Sequence, residues 1–101
     1  MAQVIWAPTA LSDAQSIAEY VARDSADQAA LLVRRFIEAA DRLAEFPQSG
    51  RIIPEVADPD CREVVVGSYR VMYRLEVGQV WITGIVHGAR DWHPEHQAGG
   101  R

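Results

Sequence analysis

The apolar residues of this chain change their spacing once, and that change restricts the fold more than any other feature. Up to residue 46 they recur at the helical interval of about 3.6, and beyond residue 60 they alternate with a period of about 2. The stretch between holds Pro47, Gly50, Pro54 and Pro59 and supports neither pattern. Helices first and strands afterwards, segregated along the chain, predict an α+β domain rather than alternating βα units.

A short apolar run, Val4-Ile5-Trp6, reads as a strand that Pro8 stops. Pro8-Thr9 suits a helix start, with Asp13 near the first turn. Ala10, Ala14, Ile17, Ala18 and Val21 form its stripe, widened by Tyr20. Arg23-Asp24-Ser25 interrupts the stripe, and Ser25 with Gln28 forms a capping-box signal for a second helix. That helix carries Ala29, Leu32, Val33, Phe36, Ala40 and Leu43 on one face and is closed by Pro47 and Gly50. So short a link predicts an antiparallel helical hairpin. Residues 62–66, 69–76 and 79–87 read as three strands joined by two-residue turns at Gly67-Ser68 and Val77-Gly78. The expected order is β-α-α-β-β-β, with the first strand at the sheet edge beside the last. Residues 1–93 are read as one domain and 94–101 as a polar, flexible tail.

The turns also predict which residues share a face. Around Val77-Gly78, Leu75 pairs with Val80, Tyr73 with Ile82, Val71 with Gly84 and Tyr69 with Val86. This apolar set, with Val64 and Val66, is expected to pack on the helices. The other face then holds Glu63, Val65, Arg70, Met72, Arg74, Trp81, Thr83 and Ile85, with His87 at its edge. Arg74 beside Trp81 is a candidate cation–π pair. Met72, Trp81 and Ile85 make this face too apolar to stand in water, so a cover is expected. A partner protein is one cover; the C-terminal segment or a second copy is the plainer one.

Composition excludes several classes. Fourteen acidic residues against ten basic ones give a net charge of −4, which argues against a protein that coats duplex DNA through bulk electrostatics. The basic residues are all Arg, five of them in residues 1–60 and five in 61–101, while ten of the acids lie in the first part. The average therefore hides an acidic half and a mildly basic half. The single cysteine, Cys61, allows no internal disulfide and is read as an inert thiol. No apolar run reaches the length of about 18 residues that a membrane span needs, and the first residues lack a signal-peptide pattern. A cytoplasmic protein without membrane contact is expected. His93 and His96 flank Pro94, which spoils the helical alignment a metal pair needs, so no metal and no cofactor are expected.

Several short motifs carry a resemblance. They are Trp6-Ala7-Pro8-Thr9-Ala10 with Asp13 and Ile17, Phe46-Pro47-Gln48-Ser49-Gly50-Arg51, Arg62-Glu63, Tyr69-Arg70-Val71-Met72-Tyr73-Arg74 and Val86-His87-Gly88-Ala89-Arg90-Asp91. Their order and spacing from about Val4 to Trp92 resemble the RelE/ParE toxin superfamily, its ParE branch in particular. The resemblance implies a toxin of a type II toxin–antitoxin module that inhibits DNA gyrase by binding. A ParD-type antitoxin, a ribbon-helix-helix protein, would neutralise it in a hetero-oligomer, and the toxin itself would make no specific contact with DNA. The antitoxin or target surface would comprise Arg70, Met72, Arg74, Trp81, Thr83, Ile85, His87 and Arg90, with acidic antitoxin residues meeting Arg70 and Arg74. The alternative implied by the RelE branch is ribosome-dependent mRNA cleavage, with Glu63, Arg70, Arg74 and His87 as base, acid and phosphate-binding groups. The bland reading of Glu63 is a solvated partner of Arg70, and that of His87 a strand-end histidine. A degenerate toxin that only supports repression is a third reading. Elsewhere Arg51 is read as a loop anchor at a helix end, Arg90-Asp91 as a local ion pair, Trp92 as a packing anchor, and Tyr69 and Tyr73 as core aromatics with exposed hydroxyls.

Overall fold

The computed structural model describes residues 1–88. The element order is β1 (Gln3–Trp6), α1 (Pro8–Ala22), α2 (Ala26–Glu45), β2 (Arg51–Ile52), β3 (Cys61–Val66), β4 (Tyr69–Glu76) and β5 (Gln79–His87). The five strands form one sheet in the order β1-β5-β4-β3-β2. The α+β architecture is as expected, with one addition. Two residues of the proline-rich stretch, Arg51 and Ile52, pair antiparallel with Glu63 and Arg62 and give the sheet a fifth strand. A two-residue strand is too short to show a period of two, which is why the sequence pattern misses it.

Local chemistry explains the helix ends. Pro8 occupies the first turn of α1, where its missing N–H costs nothing. The Ser25 hydroxyl accepts a hydrogen bond from the Gln28 N–H and starts α2. The two hairpin turns are as predicted. Gly67 and Gly78 take the left-handed backbone that such turns demand, with φ of 58° and 70°. β1 lies at the edge beside β5, and the pairing is parallel, Gln3 with Gln79 through Trp6 with Ile82.

The core lies between the helical hairpin and one sheet face. Ala10, Phe36, Ala40 and Leu43 pack there against Val71, Tyr73, Val80 and Ile82. Phe36 meets Tyr69 edge-on at 5.8 Å.

One expectation about register fails. Pairing follows prediction from Glu76–Gln79 to Tyr73–Ile82, then slips by one residue. Met72 pairs with Gly84, Val71 with Ile85, Arg70 with Val86 and Tyr69 with His87. A bulge at Thr83 absorbs the extra residue. Ile85 therefore belongs to the helix-facing core, 3% exposed, and not to the opposite face. Val86 takes the place beside Arg70.

The bulge is held from outside the sheet. α1 carries Thr9 and Asp13 four residues apart, on one side of the helix. The Thr9 hydroxyl donates to the Thr83 carbonyl at 2.8 Å, and the Ile85 N–H donates to the Asp13 carboxylate at 3.0 Å. Backbone groups of β5 beyond the reach of β1 are thus satisfied by a helix. Asp13 does not serve the first turn of its own helix. Burial pushes its carboxyl above the usual carboxylate range, partly offset by the Ile85 hydrogen bond.

Candidate functional site

The sheet face away from the helices was expected to await a partner. The chain covers part of it itself, with residues 53–60, while Val65 stays exposed and Arg74, Trp81 and Thr83 partly open. This strap folds back through tight hydrogen bonds from Val56 and Ala57 N–H to the Ile53 carbonyl, and Ala57 takes φ of 56°, unusual for a non-glycine residue. Ile53 packs on Met72, both buried, with Val56, Cys61 and Val86 around them. Met72 is 1% exposed and offers no surface to a partner.

Beside this small apolar cluster lies a chain of four charges. Glu63 has a fully buried side chain. Its Oε2 accepts from Arg51 Nε at 2.6 Å, and its Oε1 accepts from Arg70 Nε at 2.7 Å. Arg70, its side chain 9% exposed, donates two further bonds to Glu55 on the strap, Nη1 to Oε2 at 2.9 Å and Nη2 to Oε1 at 2.8 Å. Two Arg and two Glu balance each other, which is what lets charged groups stay inside. The Arg70 hydrogen bonds hold the Glu55 carboxyl below the usual carboxylate range. Those from Glu55, with those from Glu63, raise the Arg70 guanidinium above its ordinary value against the opposing effect of burial.

Four expectations are corrected here. Glu63 is not a solvated partner, since its carboxylate is sealed. Arg70 does not present its charge to a passing acid, since Glu55 and Glu63 hold it. Arg51 anchors no helix end; it sits in β2 against Glu63. Tyr73 does not expose its hydroxyl, which accepts from the Gly50 N–H at 2.9 Å and donates to the Pro47 carbonyl at 2.7 Å. That clamp explains Gly50, because a Cβ there would fall 2.6 Å from both the Tyr73 hydroxyl and the Glu63 carbonyl.

Among the predicted contact residues, Arg74 keeps a partly open side chain, 32% exposed, as do Trp81 and Thr83, and His87 is exposed. Arg74 stands opposite Trp81 in register, as expected. Its guanidinium turns elsewhere. Nη1 donates to Cys61 Sγ at 3.3 Å and lies 3.9 Å from Asp58, while Nε approaches Glu76 at 3.5 Å without hydrogen-bond geometry. Trp81 Nε1 donates to Gln79 at 3.0 Å. Among the described residues a guanidinium–ring contact forms between Arg23 and Tyr20, at 5.7 Å. Burial pushes the Cys61 thiol up, away from the reactive thiolate. His87 ends β5 with its ring edge-on to Tyr69 at 5.4 Å. His87 and Tyr69 line a hollow of 560 Å³ with Asp13, Ile17 and Tyr20. Arg90, Asp91, Trp92, His93, His96 and the proposed tail lie outside the described residues.

The structure thus brings Glu63 and Arg70 together, sets Arg74 near the far end of the same face, and leaves His87 beside Tyr69 on the helix-facing side. Glu55 and Ile53, which complete the covered face, were missed. A carboxylate after a proline carried no periodic signal. Among the described residues no group of three or more His, Cys, Asp or Glu is placed to hold a metal ion, and no helix is long and apolar enough to cross a membrane.

Comparison with known proteins agrees with this arrangement. Residues 4–92 match the family model described as the ParE toxin of the type II toxin–antitoxin system parDE. The chain belongs to the ParE toxin family. Toxin RelE2 of Caulobacter vibrioides is 41% identical over 91 residues, covering 89% of this chain and 99% of that protein. The putative toxin Y4kP of Sinorhizobium fredii is 33% identical over 92 residues, covering 89% and 92%. Among solved structures, one described as a chromosomal ParDE system from P. aeruginosa superposes with a TM-score of 0.71 at 20% identity, over 86% of this chain and 96% of that one. That likeness establishes the fold. The motifs that carried the resemblance acquire physical roles in this ParE toxin. Thr9 and Asp13 hold the β5 bulge, Gly50 and Pro47 hold the Tyr73 hydroxyl, and Arg51, largely exposed, joins the buried Glu63 and Arg70 in the charge chain.

Proposed function

We propose that this toxin acts by binding rather than by catalysis, that DNA gyrase is its target, and that a ParD-type antitoxin of the ribbon-helix-helix class neutralises it. One observation carries the choice of binding over catalysis. Glu63 and Arg70, the base and the phosphate-binding cation of the ribonuclease alternative, are buried and committed to each other, to Arg51 and to Glu55. Cleavage of RNA through its 2′-hydroxyl needs a base and a cation that can reach the substrate. The third and fourth groups stand in different settings, Arg74 near Asp58 and Cys61, His87 beside Tyr69.

The antitoxin surface changes accordingly. Arg74, Trp81 and Thr83 remain as part-open contact positions and His87 as an exposed one, and an acidic antitoxin residue meets Arg74 rather than Arg70. Gyrase as the target rests on the resemblance to the ParE branch. The name RelE2 borne by the Caulobacter relative leaves the choice between the two activities open, so the decisive experiment contains both assays. Purified gyrase should lose supercoiling activity when the toxin is added, and ribosome-bound mRNA should stay intact. Unaffected supercoiling together with new mRNA fragments would reverse the assignment. Failure of both assays, without growth arrest on expression, would identify a degenerate toxin that serves repression alone.

A further inference from the structure

The far end of β5 has two ways to pair with β4, and its apolar residues alone do not choose between them. The Val77-Gly78 turn, carried to the strand end without interruption, sets Val71 against Gly84, Arg70 against Ile85 and Tyr69 against Val86. The bulge at Thr83 instead sets Val71 against Ile85, Arg70 against Val86 and Tyr69 against His87. In either register one of Ile85 and Val86 lies on each face. The slipped register has an unbroken ladder. The bulged one puts Ile85, 3% exposed, where the core would otherwise receive Gly84.

α1 adds two hydrogen bonds to the bulged side of this balance. The Ile82 carbonyl accepts from the Ala7 N–H at 2.9 Å, so the backbone polar groups of Ile82 point away from β4. In an unbroken strand these groups alternate. Those of Gly84 would then point away from β4, and those of Thr83 and Ile85 towards it. The Thr83 carbonyl and the Ile85 N–H reach α1 only because of the bulge, and Thr9 and Asp13 hold them there. β1 ends at Trp6 opposite Ile82, so this stretch of the β5 edge meets a helix and not a strand. Both bonds are lost if the strand slips.

We propose that Thr9 and Asp13 are positioning residues that select the register of β5 beyond Ile82, and with it the side chains that the open sheet face shows to a partner. In the bulged register Val86 stands beside Arg70, and His87 lies on the helix side against Tyr69. In the slipped register Ile85 takes the place of Val86, and His87 turns to the open face. A partner fitted to one arrangement is mismatched to the other. Two residues of α1 thereby govern recognition on the far side of the sheet. That last step rests on the reading that an antitoxin binds the open face; the choice of register does not.

Nuclear magnetic resonance on the whole protein tests the register. The wild type should give cross-strand contacts Met72–Gly84 and Arg70–Val86. Thr9→Val combined with Asp13→Leu should raise the slipped population at least about tenfold, seen as new Arg70–Ile85 and Met72–Thr83 contacts and loss of the Tyr69 ring-current shift on His87. Asp13→Asn, which keeps a carbonyl acceptor, should keep the bulge. The Tyr73–Ile82 contact, common to both registers, reports that a variant is folded. A folded double variant that keeps Met72–Gly84 alone, with no exchange at residues 84–87, overturns the proposal. If the double variant does not fold, relaxation dispersion at residues 84–87 of Asp13→Ala decides, and exchange no greater than in the wild type overturns it. The antitoxin should bind a slipped variant at least about threefold more weakly and Asp13→Asn as it binds the wild type. Equal affinity for a slipped variant overturns the positioning role. A wild-type protein that binds no antitoxin would refute the toxin–antitoxin reading, and the register measurement would still decide the clamp.

Discussion

The two faces of the sheet are covered by different physics. Towards the helices, burial is continuous and aliphatic, from Ala10, Phe36 and Leu43 across to Val71, Val80 and Ile82. On the opposite side one short strap covers one apolar pair, Ile53 on Met72, and four charges fill the rest. A small domain has too little chain for a helical layer on both sides. The lesson lies in how each face fails. An aliphatic face loses stability in proportion to what is removed. A charge chain fails through its hydrogen bonds, because removing one member takes charged partners from a neighbour that is itself buried.

The largest expected effect tests the aliphatic face. Tyr73→Ala removes a buried ring and the hydroxyl that holds the 47–50 turn, and should cost about 4 kcal/mol in urea unfolding. Glu63→Ala should follow at about 2 kcal/mol, since it removes one of the carboxylates that hold the buried Arg70. The paired change Glu63→Leu with Arg70→Met should recover much of that loss, and a double variant less stable than Glu63→Ala would break the comparison. Tyr73→Phe, which keeps the ring and deletes two hydrogen bonds, should cost about 1–2 kcal/mol. Arg74→Ala should cost under about 1 kcal/mol while weakening antitoxin binding in titration calorimetry.

The smallest effects are in pH dependence, where the faces have opposite signs. Glu55 has its carboxyl lowered by folding, so its contribution is present above the ordinary glutamate value and is lost as pH falls through the lowered one. Asp13 has its carboxyl raised, so its contribution is present at low pH and is lost as pH rises through the raised value. In urea midpoints followed across the acid range, Glu55→Gln should flatten the loss on acidification. Asp13→Asn should flatten the opposing loss as pH rises. Identical curves for both variants and the wild type would remove the electrostatic contrast.

Much of this was legible in the residues. The helical hairpin follows from spacing and from Ser25 with Gln28. The meander follows from two glycine turns, and the edge position of β1 from its distance along the chain. Facing was legible up to Tyr73 and Ile82, where the strands still keep step with the turn. It was lost at Thr83, because an extra residue leaves the run of apolar letters unaltered and its evidence, the Thr9 and Asp13 hydrogen bonds, comes from more than seventy residues away. The mixed face was correctly read as needing a cover. Its occupant was misassigned because the strap is held by Glu55 and Ile53, which show no period. Arg70 looked available from its letter, and only three-dimensional pairing shows that it is spent.

The parallel contact between β1 and β5 has a consequence for synthesis. Gln3 must wait for Gln79, and Trp6 for Ile82, before the edge of the sheet can close. While the ribosome is still making the meander, the first strand has no mate, and the helical hairpin has no sheet to lie on. Closure of so long a loop comes late and slowly. The nascent chain therefore exposes an unpaired first strand for as long as residues 79–82 have yet to emerge from the ribosome.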